Sequence, residues 1–229
     1  MSPTADATRP PEFVLSLDFE LLWGVRDHAD RVTYGRNILG AREAIPRMLE
    51  LFARHRIAAT WATVGFLFCR DRDELIAALP PEELRPRYAN PLLSSYGYLD
   101  ELGRNEREDP YVFGASLLDR IQETPLQEIG THTLSHFYCL EDGQSEAMFE
   151  ADLTAAAMLA GRRGLLLRSI VFPRNQYAAG HLAVCRRHGI CAYRGNPAHW
   201  AYAPTAGETL RRRALRFIDQ HTGVLGPWM

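Results

Sequence analysis

The chain has 229 residues, of which 46% are apolar and 24% charged, and its formal net charge is -2. That length supports one domain with a sizeable core and is short for two. Near-balanced charge gives no basic face for nucleic acid, and no apolar run reaches the length of a membrane span.

Residues 1–11 are polar and proline-containing and read as a flexible leader. They lack a basic start followed by an apolar stretch, which predicts no secretory signal and a cytoplasmic protein. Residues 12–229 read as a single domain. Phe13–Leu17 is a short apolar run ending at Asp18 and predicts a buried strand with a polar tip. Gly40–His55 carries Ile45, Met48, Leu49 and Phe52 at helical spacing, with Pro46 expected in the first turn, where its missing donor is harmless. Ile57–Gly65 predicts a second strand. Residues 70–127 are rich in charge, proline and tyrosine and read as an insertion with short helices, Val112–Gln122 the clearest. Long connections of this kind often form functional rims.

Glu128–His132 predicts a third strand. Phe149, Leu153, Ala157 and Ala160 predict a helix that Gly161 stops. Ser169–Pro173 predicts a fourth strand ending in Arg174, Asn175 and Gln176, Gly180–His188 a helix stopped by Gly189, and Ile190–Tyr193 a fifth strand. Strand and helix alternate, so the fold class is α/β with a parallel sheet, barrel-like or doubly wound. No Gly-x-Gly-x-x-Gly turn follows the first strand and no phosphate loop is present, which removes the main support for a nucleotide fold. The four cysteines, Cys69, Cys139, Cys185 and Cys191, form no Cys-x-x-Cys pair and are expected as free buried thiols.

Three predicted strand ends carry polar groups that can converge on one face of a parallel barrel. Asp18 and Glu20 share one side of the first strand, and two such carboxylates repel unless a cation or a proton lies between them. His132 and His136, four apart, share a face if the segment coils into a helical turn, and two imidazoles plus one carboxylate make a divalent metal site with a position left for water. Arg174 is a guanidinium able to hold a buried carboxylate, with Asp18 its natural partner. Trp61, Tyr96, Tyr98, Trp200 and Tyr202 are candidates to stack on a sugar ring, Cys139 is a remote candidate for a fourth ligand, and His28, His55, His181 and His188 read as structural.

At these residues the sequence resembles the polysaccharide deacetylase family, the NodB-homology domain. The strand that ends Asp18-Phe19-Glu20 resembles the family's first motif, His132-Thr133-Leu134-Ser135-His136 its His-[Ser/Thr]-x-x-His motif, the run from Ala59 to Gly65 its second strand, and Pro173-Arg174 a variant of its third motif. The resemblance implies a distorted (β/α)7-type barrel and one divalent metal (zinc, with cobalt or nickel as substitutes) on Glu20, His132 and His136. It further implies Asp18 as catalytic base braced by Arg174, and Pro173 and Asn175 beside the substrate. The implied substrate is an N-acetylated sugar or precursor glycan. Two departures stand out. Phe-Pro-Arg-Asn replaces the usual Arg-x-Pro-Tyr order, and the family's late histidine, a general acid, has only His199 and His221 as counterparts. About five strands are legible where the barrel has about seven, so a barrel incomplete at its C-terminus is expected. The rival readings are a degenerate binder of carbohydrate or of a partner, and a glycoside hydrolase on a related barrel.

Overall fold

The computed structural model describes residues 13–197, 199–203, 205 and 209–224, so the expected leader lies outside the described residues. Five strands form one parallel sheet: β1 (Ser16–Phe19), β2 (Ala59–Thr63), β3 (Gln127–Thr131), β4 (Ser169–Ile170) and β5 (Ala192–Tyr193). Their spatial order is their chain order. Each crossover therefore lays the next strand beside the last, as in the wall of a barrel and unlike the doubly wound fold, where the order reverses. Among the described residues β1 and β5 are the edges, and the sheet is a curled half-barrel.

Register brings the strand ends level. Phe19 pairs with Thr63, Thr63 with Thr131, Thr131 with Ile170 and Ile170 with Tyr193. These five residues make one row across the C-terminal ends of the strands. The residues that come next (Glu20, Val64, His132, Val171 and Arg194) therefore leave the sheet at one level.

The first helix, α1 (Arg31–His55), begins well before Gly40. Asp30 caps it, accepting from the backbone of Val32 and Thr33, while the Thr33 hydroxyl accepts from the Asp30 N–H. Pro46 thus lies in mid-helix and not in a first turn, and it leaves the carbonyl four residues back without its helical donor. Burial of Ile38, Ile45, Leu49 and Phe52 along one stripe outweighs that loss. The insertion holds α2 (Arg72–Ala77), α3 (Ala115–Glu123) and several 3-10 turns. It is tied to α1 by Arg31 on Asp109 at 2.7 Å and by Arg42 on Glu106. The fourth helix, α4 (Glu146–Arg162), runs through Gly161, and Gly164, at φ +71°, takes the left-handed position after it. α5 (Ala179–Arg187) ends before Gly189, also left-handed, and α6 (Leu210–Thr222) follows. Among the described residues no helix is long and apolar enough to cross a membrane. All four cysteines are free, but Cys191 is exposed, contrary to expectation, because it precedes the edge strand.

Candidate metal centre

Glu20 and His132 stand side by side because register ends β1 and β3 on the same row. After Glu20 the chain turns into a 3-10 turn, Leu21–Gly24, and the carboxylate folds back over Gly24. A Cβ at Gly24 would lie 1.9 Å from the Glu20 carboxyl carbon, so only glycine leaves this space. His136 arrives by a different route from the one its spacing suggests. The segment from His132 to His136 is not a helical turn: Thr133 and His136 take left-handed φ values of 65° and 60°. The loop is held from behind. Asp152 of α4 accepts from Leu134 N (2.6 Å), Ser135 N (3.2 Å) and the Ser135 hydroxyl (2.5 Å). Gly65 N and Phe66 N donate to the carbonyls of Thr133 and Leu134. Those bonds replace the helical ladder and settle the conformation. Burial pushes the Asp152 carboxyl up, against its hydrogen bonds, to about 6.

The three candidate ligands converge. Nε2 of His132 and Nε2 of His136 each lie 3.3 Å from Oε2 of Glu20, and one donor atom from each residue lies within 4.8 Å of the others. Zinc bonds of about 2.0–2.1 Å imply roughly this separation between tetrahedral ligands. Nδ1 of His132 lies 2.8 Å from the carbonyl of Val171. A carbonyl only accepts, so Nδ1 carries a proton and Nε2 is the nitrogen turned toward the carboxylate oxygen. A nitrogen lone pair and a carboxylate oxygen at 3.3 Å repel unless a proton or a metal cation lies between them. A proton on His136 is a poor candidate, because burial lowers its pKa. Burial pushes the Glu20 carboxyl up, but the two imidazoles outweigh it and hold it well below the ordinary carboxylate range. The donor set fits a divalent cation.

Asp18 borders the same cavity, of about 330 Å³. Its brace differs from the expected one. Arg194, the first residue beyond β5, makes two parallel bonds of 2.9 Å to the two Asp18 oxygens. Its Nε also points to Asn175 Oδ1 at 3.4 Å. Arg174 instead pairs with Asp27 and, at 3.5 Å, with Glu141, and its guanidinium lies over the Tyr138 ring. The cause is local: Arg174 and Asn175 both have left-handed backbone, which swings the arginine away from β1. Asn175 lines the cavity, whereas Pro173 is buried in its turn and does not.

Other expected roles change too. Cys139 is buried in an apolar cluster with Phe149 and Cys185, and burial holds its thiol well above the ordinary range. Trp61 and Tyr96 belong to the core, the first donating to Gln127 and the second edge-on to Phe66. Tyr98 lies under the Arg26 guanidinium and Tyr202 donates to Asp219, while Trp200 is largely exposed. None of the five lines the cavity beside Asp18 and Glu20. His28, read as structural, does line it, next to Asp27. Sequence reasoning missed Arg194, Asp27, His28 and Asp152. Arg194 was within reach, as a charged residue directly after the fifth apolar strand.

No family model matches the chain, and no curated protein matches it. Several solved structures are similar to it in fold. IcaB from Ammonifex degensii shares 14% identity at a TM-score of 0.46, over 89% of this chain and 70% of that one. The deacetylase domain of BpsB from Bordetella bronchiseptica shares 15% at 0.44, over 81% and 64%. BA3943 from Bacillus anthracis, described as a CE4 family pseudoenzyme, shares 13% at 0.45, over 81% of this chain and 44% of its own. The chain thus spans less than half the length of that structure.

Proposed function

We propose that this protein is a metal-dependent hydrolase that removes an N-acetyl group from a sugar or a surface-polysaccharide precursor. The observation that carries the proposal is the convergence of Glu20, His132 and His136 beside an arginine-braced Asp18. A divalent metal, zinc by preference and cobalt or nickel in its place, would be held by those three side chains and would supply polarisation of the acetyl carbonyl and activation of a water. Asp18 is the base. The fork of Arg194 aims its carboxylate, which takes a proton from the attacking water.

Amide hydrolysis suits the cavity better than glycoside hydrolysis. The latter needs one carboxyl free to donate a proton to the leaving oxygen. Here both oxygens of Asp18 face Arg194, and those of Asp27 face His28 and Arg174. A second reading, a carbohydrate binder without turnover, is favoured by the late histidines. His199 caps a 3-10 turn and His221 bonds the Phe217 carbonyl, and neither borders the cavity.

The test is metal content by mass spectrometry on the wild type and on a His132→Ala, His136→Ala double variant, followed by acetate release from N-acetylglucosamine oligomers. About one zinc per chain, absent from the variant, with acetate released, is expected. Zinc without acetate release would favour the binder, and a wild type that takes up no zinc would sink the hydrolase.

A further inference from the structure

Asp27 and His28 belong to none of the motifs, yet both sit on the wall of the metal cavity. His28 Nδ1 lies 2.9 Å from Asp27 Oδ1. The other Asp27 oxygen receives Arg174, which is steadied in turn by Glu141 and by the face of Tyr138. Tyr138 stands edge-on to His136, 5.0 Å between ring centres. The Asp27 side chain is only 10% exposed, whereas the His28 ring is 65% exposed. A half-sunk, doubly engaged carboxylate therefore holds an open imidazole by one nitrogen. A carboxylate accepts here, so Nδ1 carries a proton toward Asp27, which leaves Nε2 as the ring nitrogen available to a bound substrate.

An amine leaves an amide poorly unless it is protonated as the bond breaks. Of the groups on this wall, Glu20, His132 and His136 face one another, Asp18 and Asp27 are held by their arginine partners, and the two arginines do not release protons. We propose that His28, oriented by Asp27, is the proton donor to the leaving amine. This rests on the deacetylase reading of the same site. In the step, the water oxygen bonds to the acetyl carbon and its proton goes to Asp18. The carbon–nitrogen bond breaks, its electron pair stays with nitrogen, and nitrogen takes the Nε2 proton of His28. The products are a free amine and acetic acid, which ionises to acetate, and the Asp18 proton returns to His28 through solvent. The role expected of a histidine late in the chain is supplied instead from the segment between β1 and α1.

The experiment compares wild type with His28→Ala, loaded with zinc, on two substrates. N-acetylglucosamine oligomers have an amine leaving group that needs a proton, and p-nitrophenyl acetate has a phenolate leaving group that does not. His28 is exposed, so its truncation spares the core. The expected result is a loss of about a hundredfold or more on the amide, an ester rate within a few-fold of wild type, partial rescue of the amide rate by added imidazole, and unchanged zinc content. Equal losses on both substrates, or no loss on the amide, would overturn the assignment while leaving the hydrolase intact. A zinc-loaded wild type inactive on both substrates would overturn the hydrolase and this assignment with it.

Discussion

The two sides of the sheet are built differently. β1, β2 and β3 pair over four or five residues each, whereas β4 and β5 have two residues apiece. All three candidate ligands hang from the long-stranded side, with the histidine loop also pinned to α4 through Asp152. The groups that orient acids, Arg194 and Arg174, come from the short-stranded side. The candidate metal ligands thus lie in the part with the most cooperative support, and the arginines that hold Asp18 and Asp27 in the part with the least. The half with few ladder bonds is where local opening costs least.

That division can be broken by experiment. The largest effect is expected from Asp18→Asn. Turnover should fall by about 10²–10⁴ while zinc content stays at the wild-type level, because Asp18 is not among the converging ligands. If zinc is lost as well, the carboxylates do not divide their roles as described. Next comes Asp152→Ala. It strands two backbone donors and a hydroxyl in the interior, a loss of about 3 kcal/mol, measurable as a lower urea midpoint and accompanied by weaker zinc binding.

Asp152 also sharpens the comparison through pH. Its folded value of about 6 lies above the ordinary 3.8. The protonated form is therefore favoured by folding. The stabilisation it contributes is complete below about 3.8 and is lost as pH rises through about 6. Asp152→Asn should remove that component, so the stability gap between wild type and variant should differ between pH 4.5 and 6.5. A gap that does not change with pH would mean that Asp152 is charged throughout. The smallest effect is expected from Arg194→Gln. Asp18 stays in place but loses its fork, and a misaimed base should cost about tenfold to a hundredfold in kcat with zinc content unchanged. A loss of zinc in this variant would show that the two sides of the sheet are not separable.

Much of the frame was legible because it depends on local pattern. The apolar runs before Asp18, Thr63 and His132 predict strands, and the helices after them follow apolar spacing. Boundaries were less legible. Gly40 and Pro46 suggested a late start for α1, but the Asp30 and Thr33 cap and the stripe of buried isoleucine and leucine carry the helix through both. The histidine pair was legible as a pair but not as a loop, since its left-handed residues are stabilised by Asp152 and Gly65, which lie far along the chain.

By itself the amino-acid sequence determined the alternation of strand and helix, the two acids at the end of β1 and the two histidines after β3, because each rests on neighbours within a few positions. Only the tertiary structure decided who partners whom. Asp18 meets Arg194 and not Arg174 because sheet register brings the end of β5 level with β1, and because left-handed backbone at Arg174 and Asn175 turns the other arginine toward Asp27. Such pairings are set by the sum of many registers and turns, and no spacing along one strand encodes them.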